Sequence, residues 1–115
     1  YSKLNSLVNL ANDLELEVLY EVHDKSDLEK GLNANINIFG INNRNLENFS
    51  VDINNTISLY KKFDLKNRIV ICESGIENIN DVKKIKENTN INNFLIGESL
   101  IKSNSISQKI KELSQ

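Results

Sequence analysis

Four short clusters of polar and small residues follow directly on apolar runs, and each carries groups that can do chemistry. Glu21 and His23 close the run 16–22, and Asn42-Asn43-Arg44 closes 36–41. Glu73-Ser74-Gly75 closes 69–72, and Gly97-Glu98-Ser99 closes 94–96. Two carboxylates, Glu21 and Glu73, can take and return protons, and desolvation at an enclosed apolar mouth suits a carboxylate to work as a base near neutrality. A neutral amide such as Asn42 can orient hydroxyl groups without adding charge, and the Arg44 guanidinium offers a rigid fork to an anion. Gly75 and Gly97 have no side chain, so their N–H groups can come close to a phosphate. His23 could in principle be a base or metal ligand, but is read as a structural loop histidine. Asn43 and Asn45 are read as holding the loop backbone.

These clusters need elements to position them. Leu4, Leu7, Val8, Ala11 and Leu14 follow helical spacing and predict a helix over Lys3–Leu14 with one buried face. Leu16–Val22 is rich in β-branched and aromatic residues and reads as a strand, with Val18, Tyr20 and Val22 on one face and Leu19 and Glu21 on the other. Asp24 can cap a helix bearing Leu28 and Leu32. Ile36–Ile41 reads as a second strand with Ile38, Gly40 and Asn42 on its inward face. Asp52 can cap a helix with Ile53, Ile57 and Tyr60. Arg68–Cys72 is nearly all apolar, as a parallel strand covered on both faces requires. Asn78 or Asn80 caps a helix with Ile79, Val82 and Ile85, Ile91 and Phe94–Ile96 form a last strand, and Ser103–Ser105 cap a helix with Ile106, Ile110 and Leu113. Helices and strands alternate with a repeat of roughly 20–32 residues, the pattern of βα units and a parallel sheet.

Polar chemistry at the C-terminal ends of successive strands is the layout of a (β/α)-barrel active site. At 115 residues the chain makes one partial domain, residues 1–115, since a complete barrel needs roughly 200–250 residues. A net charge of −2 gives no field for nucleic acid or an anionic membrane, and the Lys83, Lys84, Lys86 stretch reads as one solvated helix face. No apolar run approaches the roughly 20 residues of a membrane span and no signal peptide is visible, so a cytoplasmic location is expected. The single cysteine, Cys72, lies within an apolar strand and reads as a small hydrophobe. The sequence contains no methionine and opens at Tyr1, from which a piece of a longer polypeptide is expected. No metal-ligand spacing, P-loop or dinucleotide fingerprint occurs, and no cofactor is expected.

The runs Leu16-Glu17-Val18-Leu19-Tyr20-Glu21-Val22-His23, Gly40-Ile41-Asn42-Asn43-Arg44-Asn45-Leu46, Glu73-Ser74-Gly75-Ile76 and Phe94-Leu95-Ile96-Gly97-Glu98-Ser99-Leu100 stand in this order. In that order they closely resemble the C-terminal half of the indole-3-glycerol-phosphate synthase family, a (β/α)₈ barrel of tryptophan biosynthesis, over barrel strands 5 to 8. The resemblance implies a carboxy-lyase. It closes the ring of 1-(2-carboxyphenylamino)-1-deoxyribulose 5-phosphate with loss of CO₂ and water. It implies Glu21 as the catalytic carboxylate, Asn42 and Glu73 on substrate hydroxyls, and Arg44 and Ser74 as substrate contacts. Gly75, Gly97, Glu98 and Ser99 would form the phosphate site, with the Glu98 side chain turned away and backbone N–H groups facing the anion.

The resemblance also implies what this chain does not supply. The family's general-acid lysine and a further glutamate and lysine lie on strands 1 to 4, so the chain alone is expected to be inactive. Its expected partners are a phosphorylated small molecule and either the N-terminal half-barrel or a second copy covering the open strand edges. Two rival readings are a non-catalytic phosphosugar-binding half-barrel and a neighbouring isomerase of the histidine or tryptophan pathways. The Asn-Asn-Arg run at 42–44 speaks against the second.

Overall fold

The computed structural model describes residues 2–115, with side chains from Lys3 onward. In chain order the elements are α1 (Ser2–Asp13), β1 (Leu19–Val22), α2 (Lys25–Asn33), β2 (Ile38–Asn42), α3 (Asn54–Lys62), β3 (Ile69–Glu73), α4 (Ile79–Asn88), β4 (Asn93–Leu95), α5 (Glu98–Ile101) and α6 (Ile106–Leu113). The strands form one sheet in the order β1-β2-β3-β4, and every pairing is parallel. Four parallel strands alternating with helices make the expected α/β half-barrel.

The register sorts side chains into two faces. Tyr20, Phe39 and Val70 form one row, and Val22, Ile41, Cys72 and Phe94 the next. Val22, Phe39, Ile41 and Cys72 are completely buried, and they pack with Leu28, Ile57, Val82 and Ile85 from the helices into the core. The opposite face carries Leu19, Ile38 and Ile69, then Glu21, Gly40, Ile71 and Asn93, then Asn42, Glu73 and Leu95. This is the inward barrel face, and no described residue covers its apolar members Leu19, Ile69 and Leu95, each about half exposed.

Local signals end the elements where sequence chemistry directs. Asp24 caps α2 by accepting the Asp27 N–H, and Asn78 caps α4 in a capping box with Asp81. Ser105 caps α6, whereas Asp52 caps only an Asx turn, accepting the Asn54 N–H at 2.9 Å. The first strand is shorter than its apolar run. Glu15 turns left-handed (φ 58°) and the Leu16 N–H closes onto Ala11, so α1 ends in a Schellman turn. Residues 16–18 then lie outside the ladder, because the one neighbour, β2, begins pairing at Ile38 with Leu19.

Two helices depart from the expected burial. Leu7 and Leu14 of the first segment are exposed while Val8 is buried, and Ile106 and Ile110 are exposed while Leu113 is buried. The helix α6 packs chiefly against α4 and α5 and not on a strand. The short helix α5, right after β4, is an element the periodicity did not reveal, since four residues carry no repeat.

Candidate active site

All four polar clusters lie at the C-terminal ends of the strands. Glu21 and Asn42 stand on adjacent strands, and Asn42 is paired in register with Glu73. The Asn42 amide is fixed by its own loop: Oδ1 accepts the Arg44 N–H at 2.9 Å, which turns Nδ2 toward Glu21 Oε1 at 3.4 Å and His23 Nε2 at 3.3 Å. The His23 ring also lies 3.6 Å from Glu21 Oε2. Glu21, His23, Asn42 and Glu73 are therefore one cluster.

Glu73 is the buried member, 6% exposed; no protein donor reaches its Oε2, and the carboxyl lies within hydrogen-bonding reach of the Glu21 carboxyl. Burial, and then the Glu21 charge beside it, push its carboxyl above the ordinary value of 4.5, against a downward pull from His23. A carboxyl of this kind can hold a proton closer to neutral pH than a solvated one, as acid–base chemistry needs. A buried polar atom that no donor reaches is uncommon in a folded protein and calls for a functional account. Ser99 Oγ is the other such side-chain oxygen among the described residues.

The backbone behind Glu73 is bent to suit the site. Ser74 (φ 66°) and Gly75 (φ 86°) are both left-handed, which for serine is a strained conformation. Glycine is required at 75 on a second ground: a methyl group there would lie 2.8 Å from Val51 Cγ1 and 2.9 Å from Ile53 Cγ2. At Gly97 no protein atom would meet such a methyl within 4 Å, so packing does not demand glycine there. Asn43, 4% exposed, holds the turn. Its N–H donates to Glu73 O at 2.9 Å and its Nδ2 to Ser74 O at 3.0 Å, while its Oδ1 accepts from Thr56 Oγ1 at 2.7 Å and Thr56 N–H at 3.0 Å. The expectation that Asn43 and Asn45 serve the backbone agrees with this geometry, since Asn45 Oδ1 accepts the Glu47 N–H at 2.8 Å.

Cys72 is fully buried and accepts from Asn43 Nδ2 at 3.3 Å; burial raises its thiol, which matches the inert role read for it.

A cavity of about 550 Å³ opens beside β3 and β4, and its lining includes Ser74, Gly75, Gly97, Glu98, Ser99 and Arg44. A second, of about 540 Å³, is lined by His23, Asn42 and Asn55 among others, and Arg44 borders both. The guanidinium is not free: Nη2 donates to Glu98 Oε2 at 2.5 Å and Nη1 to Phe49 O at 3.3 Å. Glu98 also accepts from Lys102 Nζ at 2.7 Å, and Lys102 first, then Arg44, holds its carboxyl below the ordinary value. Its side chain is thus drawn to Arg44 and Lys102. Lys102 and Lys109 line the first cavity as well, a contribution of cations that the strand-end clusters did not announce. Asn55 is a further residue missed by the sequence reading: its Nδ2 donates to His23 O at 3.1 Å and Asn42 O at 3.3 Å, tying β1 to β2. Among the described residues no group of three or more His, Cys, Asp or Glu side chains could hold a metal.

The model of one protein family, indole-3-glycerol phosphate synthase, matches residues 1–113. The chain belongs to the indole-3-glycerol phosphate synthase family. It is 43% identical to the indole-3-glycerol phosphate synthase of Acetivibrio thermocellus over 103 residues, covering 90% of this chain and 39% of that protein. It is 39% identical to the synthase of Nautilia profundicola over 112 residues, covering 97% of this chain and 43% of that protein. It is also 38% identical to the tryptophan biosynthesis protein TrpCF of Buchnera aphidicola, covering 97% of this chain and 24% of that protein. The chain thus spans about two-fifths of the length of the first two. Membership places it in a family of lyases of tryptophan biosynthesis, and the half-barrel agrees with that family's (β/α)₈ fold. Among the described residues no helix is long and apolar enough to cross a membrane.

Proposed function

We propose that this chain supplies the C-terminal half of an indole-3-glycerol phosphate synthase, and with it the base, the sugar contacts and the phosphate cradle of the active site. One observation supports this above the others. The two buried side-chain oxygens that no protein donor reaches among the described residues, Glu73 Oε2 beside the Glu21 carboxyl and Ser99 Oγ, both belong to residues expected from the sequence to touch substrate.

In this reading Glu21 takes protons during ring closure and dehydration. Asn42 and Glu73 bond the ribulose hydroxyls, Ser74 adds a polar contact, and Arg44 meets an anionic part of the substrate. The backbone N–H groups around Gly75 and Gly97 receive the phosphate, with the Ser99 hydroxyl beside them. The open space at Gly97 and the left-handed turn at Ser74-Gly75 suit a close approach of backbone to anion. Glu98 accompanies the cradle as the partner of Arg44.

The general acid lies on the remainder of the polypeptide, which also covers the exposed inward row of Leu19, Ile69 and Leu95. The isolated 115-residue chain is therefore expected to be inactive and to self-associate, as light scattering would register. The decisive experiment uses the full-length protein that carries this chain. Glu21→Gln should lower indole-3-glycerol phosphate formation by at least about 100-fold, the scale of a lost proton-transfer group. A wild-type rate in that variant refutes the assignment. Wild-type protein that binds the ribulose phosphate without turning it over supports the phosphosugar-binding alternative.

A further inference from the structure

His23, the one histidine in the chain, is fixed more firmly than a loop residue needs to be. Its N–H donates to Asp27 Oδ2 at 3.0 Å and its carbonyl accepts from Asn55 Nδ2 at 3.1 Å, so both backbone groups are held. Polar groups flank both ring nitrogens, and the Asn42 amide is within hydrogen-bond distance of Nε2. Nδ1 lies 3.8 Å from Asp27 Oδ2, and Nε2 lies 3.6 Å from Glu21 Oε2 and 3.3 Å from Asn42 Nδ2.

The bonding pattern assigns the ring's proton. Asn42 Oδ1 is occupied by the Arg44 N–H, so the two Nδ2 hydrogens face Glu21 Oε1 and His23 Nε2. A neutral ring accepting at Nε2 carries its hydrogen on Nδ1, toward Asp27. A second proton on Nε2 would face Glu21. The acidic groups around it are Glu21 on β1, Asp24 and Asp27 at the start of α2, and Glu73 across on β3. Arg44 borders the same cavity, but its guanidinium is engaged by Glu98.

We propose that His23 is a positioning residue that acts through Glu21: its neutral ring, accepting from Asn42 Nδ2, fixes the amide that meets Glu21 Oε1, and a proton gained on Nε2 would face Glu21 and offset the joint negative charge of Glu21 and Glu73. Two carboxylates at one mouth repel, and a positive charge beside Glu21 would offset that repulsion. The downward pull of His23 on Glu73, against burial and Glu21, agrees with this. The role rests on reading Glu21 as the substrate-facing carboxylate.

The test is made on the full-length protein. In His23→Asn, the titration of the Glu73 side-chain carboxyl, followed by carbon-13 NMR, should move upward from wild type. In the same variant kcat should fall by roughly 10- to 100-fold, as for a catalytic group slightly misplaced, with KM within about twofold and the acid limb of the kcat/KM profile displaced. His23→Gln keeps an amide in the same reach but cannot take a charge, and replaces His23→Asn should that variant fail to fold. It should recover part of kcat while Glu73 still titrates high. An unchanged Glu73 titration in a folded variant overturns the proposal. That readout does not need turnover: an inactive wild type would refute the synthase reading and still leave the His23 result to stand or fall on its own.

Discussion

The Glu73 carboxylate occupies the space that a side chain at position 40 would need: a methyl group on Gly40 would stand 1.7 Å from Glu73 Oε2. Glycine on β2 thus makes room for an acid arriving from β3, one register step up the sheet.

This relationship separates stability from function. The obstructing atoms are the far end of a flexible side chain, so in Gly40→Ala the carboxylate can swing aside. The added methyl also stiffens the unfolded chain, and the net change in stability should stay within about 1 kcal/mol. The site would lose its geometry, and activity of the full-length protein should fall by about 100-fold, as for a catalytic group displaced by an ångström. Urea unfolding and steady-state kinetics on the same preparation check both halves. A variant with normal kinetics would show that the position of Glu73 does not matter.

Glu73 also predicts a pH dependence. Its carboxyl in the folded protein lies above the unfolded value of 4.5, chiefly through burial. Between the unfolded and folded midpoints the native state binds more protons, so stability falls as pH rises. The contribution of protonated Glu73 is complete below the unfolded value and is lost through the folded one. Glu73→Gln removes the titration, and its melting temperature relative to wild type should climb as pH is raised above the unfolded value of 4.5 and level off once the folded carboxyl has ionised. A constant difference across that range would mean that Glu73 is not shifted.

How much of this was legible in the sequence depends on the range of the signal. Strand parity put Glu21 on the Leu19 face of its strand and Asn42 on the inward face of the next, because alternation is local and the ladder keeps it. The helix caps Asp24 and Asn78 were legible for the same reason. The Arg44–Glu98 pair was not, since it joins residues 54 positions apart on different loops. Nor was Asn55, which looks like any polar residue in a first helical turn until β1 and β2 are placed beside it. The exposure of Leu7, Leu14, Ile106 and Ile110 escaped because periodicity reports an apolar face and not whether a neighbour is present to cover it.

Asn43 and Asn45 flank Arg44 with the same side chain and differ in burial. Removing Asn43 strands the buried Thr56 hydroxyl and N–H and frees the Ser74 carbonyl. Asn43→Ala should cost roughly 2–4 kcal/mol, at about 1–3 kcal/mol for each buried group left unpaired. Asn45 serves exposed loop N–H groups, and Asn45→Ala should cost under about 0.5 kcal/mol. Chemical denaturation of the two full-length variants side by side distinguishes them. Equal losses would show that burial is not what sets the two asparagines apart.

The Arg44–Glu98 pair gives the last prediction. Arg44 borders both cavities, yet its guanidinium is bonded to Glu98, which is also held by Lys102. An incoming anion must compete with that carboxylate for the fork. Glu98→Gln keeps the shape and removes the competing charge, so inorganic phosphate should bind the full-length protein about two- to fivefold more tightly, the scale of an exposed ion pair. The gain should shrink as salt is raised, because both groups are solvent-accessible. Arg44→Ala should weaken phosphate binding and, in the double variant, abolish the gain from Glu98→Gln. Calorimetric titrations of phosphate into the four proteins complete the cycle. Additive effects would show that Glu98 acts on the anion by its own charge and not through Arg44.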